Sequence, residues 1–329
     1  MDYFIGEKFR LFTHPKKTSM RENDLIETLA AVHGSIPFTA DAEILPNPSG
    51  GFTVASTDSF SETEDFLTGL TPEQTGRQMA YGAVSDLLAC GVQPRFLLQN
   101  WSTDAAHPLE FYRDVATGIQ QVLEHYGATC VGGDVGTSDR WQWTATVIGY
   151  SSAPVTRQAA RRVPFNLYAT GPMGEANAAV FLNQPLPPAV FRAPVPTDAL
   201  FATDSSGGFL DALQNFHRAN HGLLLDVYLE RALSPRVRQW LPPKAEPGWT
   251  LVGGVGEYEL VFALPKDASE PPNVLRIGEG SFADSADNVI RLHAADGRRG
   301  TLRPLPDYRD IPPSLWVEAT ASCWQSLFA

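Results

Sequence analysis

Thr129-Cys-Val-Gly-Gly-Asp134 is the stretch on which the reading of the fold turns. β-Branched and apolar residues run straight into a double glycine, the pattern of a buried strand, and the spacing predicts that Asp134 stands where that strand ends. In α/β proteins such ends carry chemistry, because the loops there are held by a rigid frame. Three further aspartates have comparable settings: Asp58 after Phe52-Thr-Val-Ala-Ser-Thr57, Asp86 inside an apolar helical pattern, and Asp204 after Ala199-Leu-Phe-Ala-Thr203. One such aspartate is most simply a cap or turn former, since its carboxylate accepts backbone N–H groups there. Several brought together repel one another, and a bound cation is the usual remedy.

The chain has 329 residues, more than a usual single domain, so two domains of roughly 150 residues are expected. With 43% hydrophobic and 19% charged residues it reads as globular rather than disordered. Its net charge of −12 argues against a nucleic-acid partner, because phosphate-backbone binding draws on clustered Lys and Arg. No apolar run reaches the roughly 20 residues of a membrane helix. Met1-Asp-Tyr-Phe4 lacks the basic-then-apolar order of a secretion signal, so a cytoplasmic protein without a membrane partner is expected. Cys90, Cys130 and Cys323 form no C-x-x-C and read as reduced thiols outside metal chemistry.

Residues 1–34 read as an extension followed by an amphipathic helix, with Leu25, Ile26, Leu29 and Ala30 at helical spacing. Residues 35–152 read as a first domain. It opens with a hairpin of strands Phe38–Leu45 and Phe52–Thr57, then a helix from the capping sequence Thr71-Pro-Glu-Gln74 to about Cys90. A strand Gln93–Gln99, a helix Leu109–Tyr126 stopped by Gly127, the strand to Asp134 and a strand Gln142–Gly149 complete it. Residues 153–310 read as a second α/β domain, with strands at Asn166–Thr170, Leu223–Leu229, Leu251–Gly256 and Tyr258–Leu264. Its helices open at Gly171-Pro-Met-Gly-Glu175 and at Asp204-Ser-Ser-Gly-Gly208; the first turn is able to cradle an anion or simply to reverse the chain. Residues 311–329 read as an aromatic tail packing on the surface.

Familiar phosphate signatures are absent: there is no G-x-x-x-x-G-K-[ST], Gly132-Gly133 is not a G-x-G-x-x-G, and neither a serine-hydrolase elbow nor an H-E-x-x-H occurs. What remains is a series: Asp41, Ser56-Thr-Asp58, Ser85-Asp86, Gly132-Gly-Asp134, Thr170-Gly-Pro-Met-Gly-Glu175, Asp204-Ser-Ser-Gly-Gly208 and Gly254-Val-Gly-Glu-Tyr-Glu-Leu260. In that order and spacing the series, which spans roughly residues 35–265, resembles the thiamine-monophosphate kinase family. That family shares a superfamily with aminoimidazole ribonucleotide synthetase, selenophosphate synthetase and a hydrogenase maturation factor. The resemblance implies a two-domain α/β protein with mixed sheets, N-terminal halves paired in a homodimer, ATP in a cleft, and Mg2+ held by aspartates. It implies a metal set of Asp41, Ser56, Thr57, Asp58, Asp86, Asp134 and Asp204. Gly133, Asp134, Arg157 and Ser206 would meet ATP, and Asp65 and Glu257 would stand on the substrate side. Independently, phosphoryl transfer needs charge neutralisation and alignment more than a nucleophilic side chain, and a cluster of hard oxygen ligands supplies both.

The chain also departs from the pattern. Gly207 stands where the family has a second aspartate, and Gly256 where a substrate-contacting glutamate is expected. Thr63-Glu-Asp65-Phe66 lacks the family's histidine, and Asp307-Tyr308 only partly matches its aromatic closing motif. The acidic run Glu62 to Asp65 reads either as a substrate-side replacement or as a solvated loop. A phosphotransferase for which thiamine monophosphate is a poor acceptor is expected; a catalytically weak nucleotide-binding paralogue and a sister ATP-dependent synthetase are the alternatives. Selenophosphate synthesis is disfavoured, because no Cys or Lys pair stands at the N-terminus. Asp58, Asp86 and Asp134 are expected within a few ångströms of one another. Phe52, Val54 and Phe60, poorly covered on a lone hairpin, predict a dimer contact there.

Overall fold

The structure, a computed structural model, describes residues 22–61, 65, 67, 69–241, 246–285, 287–305, 311 and 315–329. The expectations placed on residues 1–18, Glu62, Thr63, Glu64, Phe66 and Asp307-Tyr308 lie outside the described residues.

Helix α1 (Glu22–His33) leads into a hairpin of β1 (Glu43–Pro46) and β2 (Phe52–Ser61). Helix α2 (Pro72–Ala89) follows, opened by the expected capping box: Thr71 accepts from the Gln74 N–H while the Gln74 side chain accepts from the Thr71 N–H. Then come β3 (Pro94–Thr103), α3 (Leu109–Tyr126), β4 (Thr129–Thr137) and β5 (Gln142–Ser151). The five strands form one mixed sheet in the order β1-β2-β5-β3-β4, antiparallel except for the β3–β4 pair.

The second half contributes β6 (Phe165–Ala169), α4 (Glu175–Phe181), β7 (Phe201–Asp204), α5 (Phe209–Ala219) and β8 (Leu223–Tyr228). Two single-turn helices, α6 (Leu229–Ala232) and α7 (Val237–Trp240), precede β9 (Leu260–Pro265), β10 (Leu275–Phe282), β11 (Val289–His293), β12 (Arg299–Thr301) and α8 (Trp316–Leu327). Their sheet runs β12-β11-β8-β10-β6-β9-β7 and is mixed, with β8 and β11 parallel. The expected α/β fold with two mixed sheets is thus observed. Among the described residues no helix is long and apolar enough to cross a membrane.

Helix α2 joins the two halves. Residues 78–90 are buried except at Asp86, which follows from packing on opposite sides. Val54, Phe60, Ala145 and Val147 of the first sheet share a core with α2, and so do Tyr168, Ala202, Leu260 and Phe262 of the second. The alternate residues of those second-sheet strands, among them Phe165, Leu167, Phe201 and Val261, face a separate core with α5. A helix covered on both sides leaves one polar side chain, Asp86, at the open seam between the sheets.

Five sequence expectations change. The first hairpin strand, expected over Phe38–Leu45, is short: residues 37–42 are turns and bends, and β1 begins only at Glu43. Strand β2 continues to Ser61, so Asp58 lies within it rather than at its end. Likewise β4 continues through the double glycine to Thr137, and Asp134 sits mid-strand at the sheet edge. A Cβ at Gly133 would stand only 1.7 Å from the Gln99 carbonyl oxygen, so glycine lets β4 press onto β3 and keep pairing. Leu251–Gly256 is no strand: Pro247–Leu251 is a 3-10 turn, and the Val255 N–H bonds the Asn177 side chain instead of a neighbouring strand. The tail does more than lie on the surface, since Trp324 and Leu327 of α8 are buried in the second core.

Candidate functional site

At the seam, carboxylate oxygens of Asp41, Asp86 and Asp204 all lie within 4.8 Å of one another. They arrive from three places: the bend before β1, the half-buried notch of α2, and the end of β7. Asp58 adjoins them. Ser56 donates to Asp86 and stands 3.4 Å from the Asp58 carboxylate. Ser85 Oγ donates to Asp204 Oδ2 at 2.6 Å, and the Ser206 N–H and hydroxyl hold Asp204 Oδ1 at 3.1 and 2.8 Å. Arg157 donates to Asp41 Oδ1 through Nη2 at 2.5 Å, helped by Thr203 Oγ1 at 2.9 Å.

Four carboxylates facing one guanidinium leave the seam strongly negative, and the protonation equilibria reflect it. Burial pushes Asp58 up to about 7, with Asp204 adding to the effect. Burial likewise raises Asp41 to about 6 despite Arg157. Asp86 is driven well above the carboxylate range by burial and by Asp58, Asp204 and Asp41 together. Hard oxygen donors brought together from several elements fit a hard divalent cation such as Mg2+.

Among the residues expected to hold metal, the structure brings Asp41, Ser56, Asp58, Asp86 and Asp204 together. Thr57 is not among them: strand alternation turns it to the opposite face, where it bonds Thr146 at 2.9 Å. Asp134 is also apart. Register runs from Asp58 to Ala145, Gln99 and Gly133 across three strand steps, about 14 Å at the usual spacing. Asp134 pairs with Asn100, opposite Thr144 and Ser59, so it is exposed on the face away from the seam.

On the substrate side, Asp65 accepts from the Ser61 N–H at 2.7 Å, which ties it back to the end of β2. Glu257 accepts from the Gly174 and Ala176 N–H groups at 2.7 and 3.1 Å. The glycine turn therefore receives the chain's own carboxylate, which burial pushes up to about 8. Ser85, Thr203 and Tyr258 were not singled out by sequence. Ser85 and Tyr258 lay inside quoted motifs, but nothing in a sequence shows that Tyr258 adopts φ 54°.

Residues 39–151 match the family described as AIR synthase related protein, N-terminal domain. The chain is 24% identical over 242 residues to the thiamine-monophosphate kinase of Archaeoglobus fulgidus, covering 70% of this chain and 80% of that one. It is 31% identical over 174 residues to the thiamine-monophosphate kinase of Corynebacterium glutamicum, spanning about half of each (52% and 53%). The solved structure of AaThiL complexed with AMPPCP and TMP superposes with a TM-score of 0.70 at 18% identity, over 84% of this chain and 96% of that one, a likeness of fold. Residues 39–151 thus match the AIR synthase related N-terminal domain, and the curated relatives to which the chain is similar are thiamine-monophosphate kinases.

Proposed function

We propose that the chain is an ATP-dependent phosphotransferase of the thiamine-monophosphate kinase type, with Mg2+ held by Asp41, Asp58, Asp86 and Asp204. The observation that carries this is the gathering of carboxylate oxygens from both halves of the chain within 4.8 Å at one open seam. When bound, such cations neutralise charge on the transferred phosphoryl group. The chain's own residues supply position: Ser56, Ser85 and Ser206 orient the carboxylates, and Arg157 fixes Asp41. Arg157 and Ser206 form the nucleotide side of this proposal and Asp65 the acceptor side, whereas Gly133 and Asp134 lie three strands away at the sheet edge.

A cytoplasmic homodimer belongs to the same proposal. Val54 and Phe60, expected at the contact, are buried beneath α2 within the chain. The uncovered face of the first sheet instead presents Phe96, Leu98 and Tyr150, at 38%, 40% and 51% exposure, and we place the contact there. Asp134 stands on that face, so its contribution falls at the contact between copies.

Calorimetric titration with ATP in the presence and absence of Mg2+, beside an assay of thiamine monophosphate phosphorylation, tests the proposal. Absence of Mg2+-dependent ATP binding would refute it. A second reading, a nucleotide-binding paralogue with little turnover, is favoured by Glu257, whose carboxylate is committed to the α4 turn, and by the missing side chain at Gly256. Binding without turnover on any phosphorylated acceptor would select it.

A further inference from the structure

Tyr258 is held at the seam by several independent features. Its backbone takes φ 54°, a left-handed conformation that a bulky side chain rarely adopts. Tyr81 Oη donates to its carbonyl at 3.2 Å. Two glycines flank the hydroxyl end of its ring: a Cβ at Gly82 would lie 3.0 Å from Cε1, and one at Gly256 would lie 2.9 Å from Cε2 and Cζ. Gly82 is one helical turn before Asp86, and its carbonyl shares the Ser85 hydroxyl with Asp204. The Ser206 carbonyl lies 2.8 Å from the same position at Gly256. The phenol therefore ends between the α2 turn that carries Asp86 and the turn that follows Asp204.

A ring serving only as filler would need neither a hydroxyl nor a strained backbone. A tyrosine phenol is protonated at neutral pH, so it is an O–H donor there. Carboxylates are acceptors only. The other hydroxyls at the cluster already donate to carboxylates: Ser56 to Asp86, Ser85 and Ser206 to Asp204. Among the described residues the Tyr258 hydroxyl has no hydrogen-bond partner. An anionic oxygen arriving at this seam would find the phenol as its uncommitted neutral donor.

We propose that Tyr258 is a specificity-determining residue of this site, donating a hydrogen bond to the terminal phosphate of the nucleotide that the aspartates bind. The inference rests on the nucleotide reading of the site and adds to it a residue that tells a triphosphate from a diphosphate. The test titrates Mg2+ with AMPPCP, and separately Mg2+ with ADP, into the full wild-type chain and into Tyr258→Phe, with thermal midpoints recorded for both. Loss of one hydrogen bond to a charged oxygen should weaken AMPPCP binding about tenfold in Tyr258→Phe. ADP affinity should stay within about twofold, and the midpoint should not move. Equal effects on the two nucleotides, or none on either, would overturn the inference while leaving the nucleotide reading intact. A wild-type chain that binds neither would overturn the nucleotide reading itself, and this inference with it. Should Tyr258→Phe fail to fold, Tyr258→Asn, tolerated at positive φ and too short to reach the phosphate, is read by the same ratio.

Discussion

Ser85 Oγ lies 2.6 Å from Asp204 Oδ2 and 2.7 Å from the Gly82 carbonyl oxygen, so one hydroxyl on α2 ties the helix to a buried carboxylate of the second sheet. Both residues are essentially inaccessible to solvent. Ser85→Ala removes a donor from a buried acceptor and should cost about 1–3 kcal/mol. Urea unfolding measures it: the midpoint should fall with an unchanged slope, and an unshifted midpoint would show that the contact contributes nothing.

The cluster also predicts a coupling between pH and metal. Asp58 titrates near 7 in the folded chain against 3.8 ordinarily, and Asp41 near 6. Between about 4 and 7 the folded chain keeps protons that the unfolded chain has released, so the metal-free protein should lose stability as pH rises through that window. Below about 4 this contribution is fully present. A cation reverses the preference by favouring the ionised carboxylates. Thermal melts at pH 5 and pH 8, each with Mg2+ and with chelator, should show a larger Mg2+ gain at pH 8; equal gains would remove the basis for a metal at these aspartates.

Much of the frame was legible because local chemistry specified it. The capping box at Thr71 and the left-handed Gly127 set the start of α2 and the stop of α3. Asp86 announced itself as a charge in an apolar helix. The separation of Ser56 from Thr57 also follows from period 2, once β2 is known to run to Ser61. The placement of Asp134 was less legible, since a double glycine reads as a strand end. Gly133 lets β4 lie close against Gln99 and stay paired with β3 beyond the double glycine. Strands β10 to β12 escaped notice because part of their length faces solvent with polar side chains, which blurs the alternation.

Arg157 offers a test of the buried charge balance. Its side chain is 15% exposed and that of Asp41 only 1%. Arg157→Met should destabilise by about 3–5 kcal/mol at pH 8, because it leaves Asp41 as a buried carboxylate without its counter-charge. At pH 5 Asp41 takes up a proton and the penalty should shrink. Denaturation of both proteins at the two pH values decides the matter: a penalty independent of pH would mean that Arg157 acts through packing alone.

Restoring the glutamate that the family pattern places at 256 should not improve this chain. The backbone at Gly256 is not left-handed, so a side chain is excluded by space rather than by conformation. A Cβ there would meet the Ser206 carbonyl at 2.8 Å and the Tyr258 ring at 2.9 Å. The carbonyl is backbone of the turn after Asp204, and the Tyr258 ring packs edge-on against Tyr81, whose hydroxyl also holds the Tyr258 backbone carbonyl, so neither moves freely. Gly256→Ala should therefore cost about 1–3 kcal/mol by overpacking, and Gly256→Glu at least as much. Gly207 differs, because the three atoms nearest a Cβ there all belong to the Asp211 side chain, whose carboxylate, at 2.4 Å to Oδ2, is able to rotate away, while its Cβ at 3.1 Å need give by only a few tenths of an ångström. Gly207→Asp should be tolerated with a loss under about 1 kcal/mol. Comparative urea unfolding of the three variants checks the order, and a Gly256→Glu chain as stable as wild type would show that Tyr258 does not occupy the space in solution.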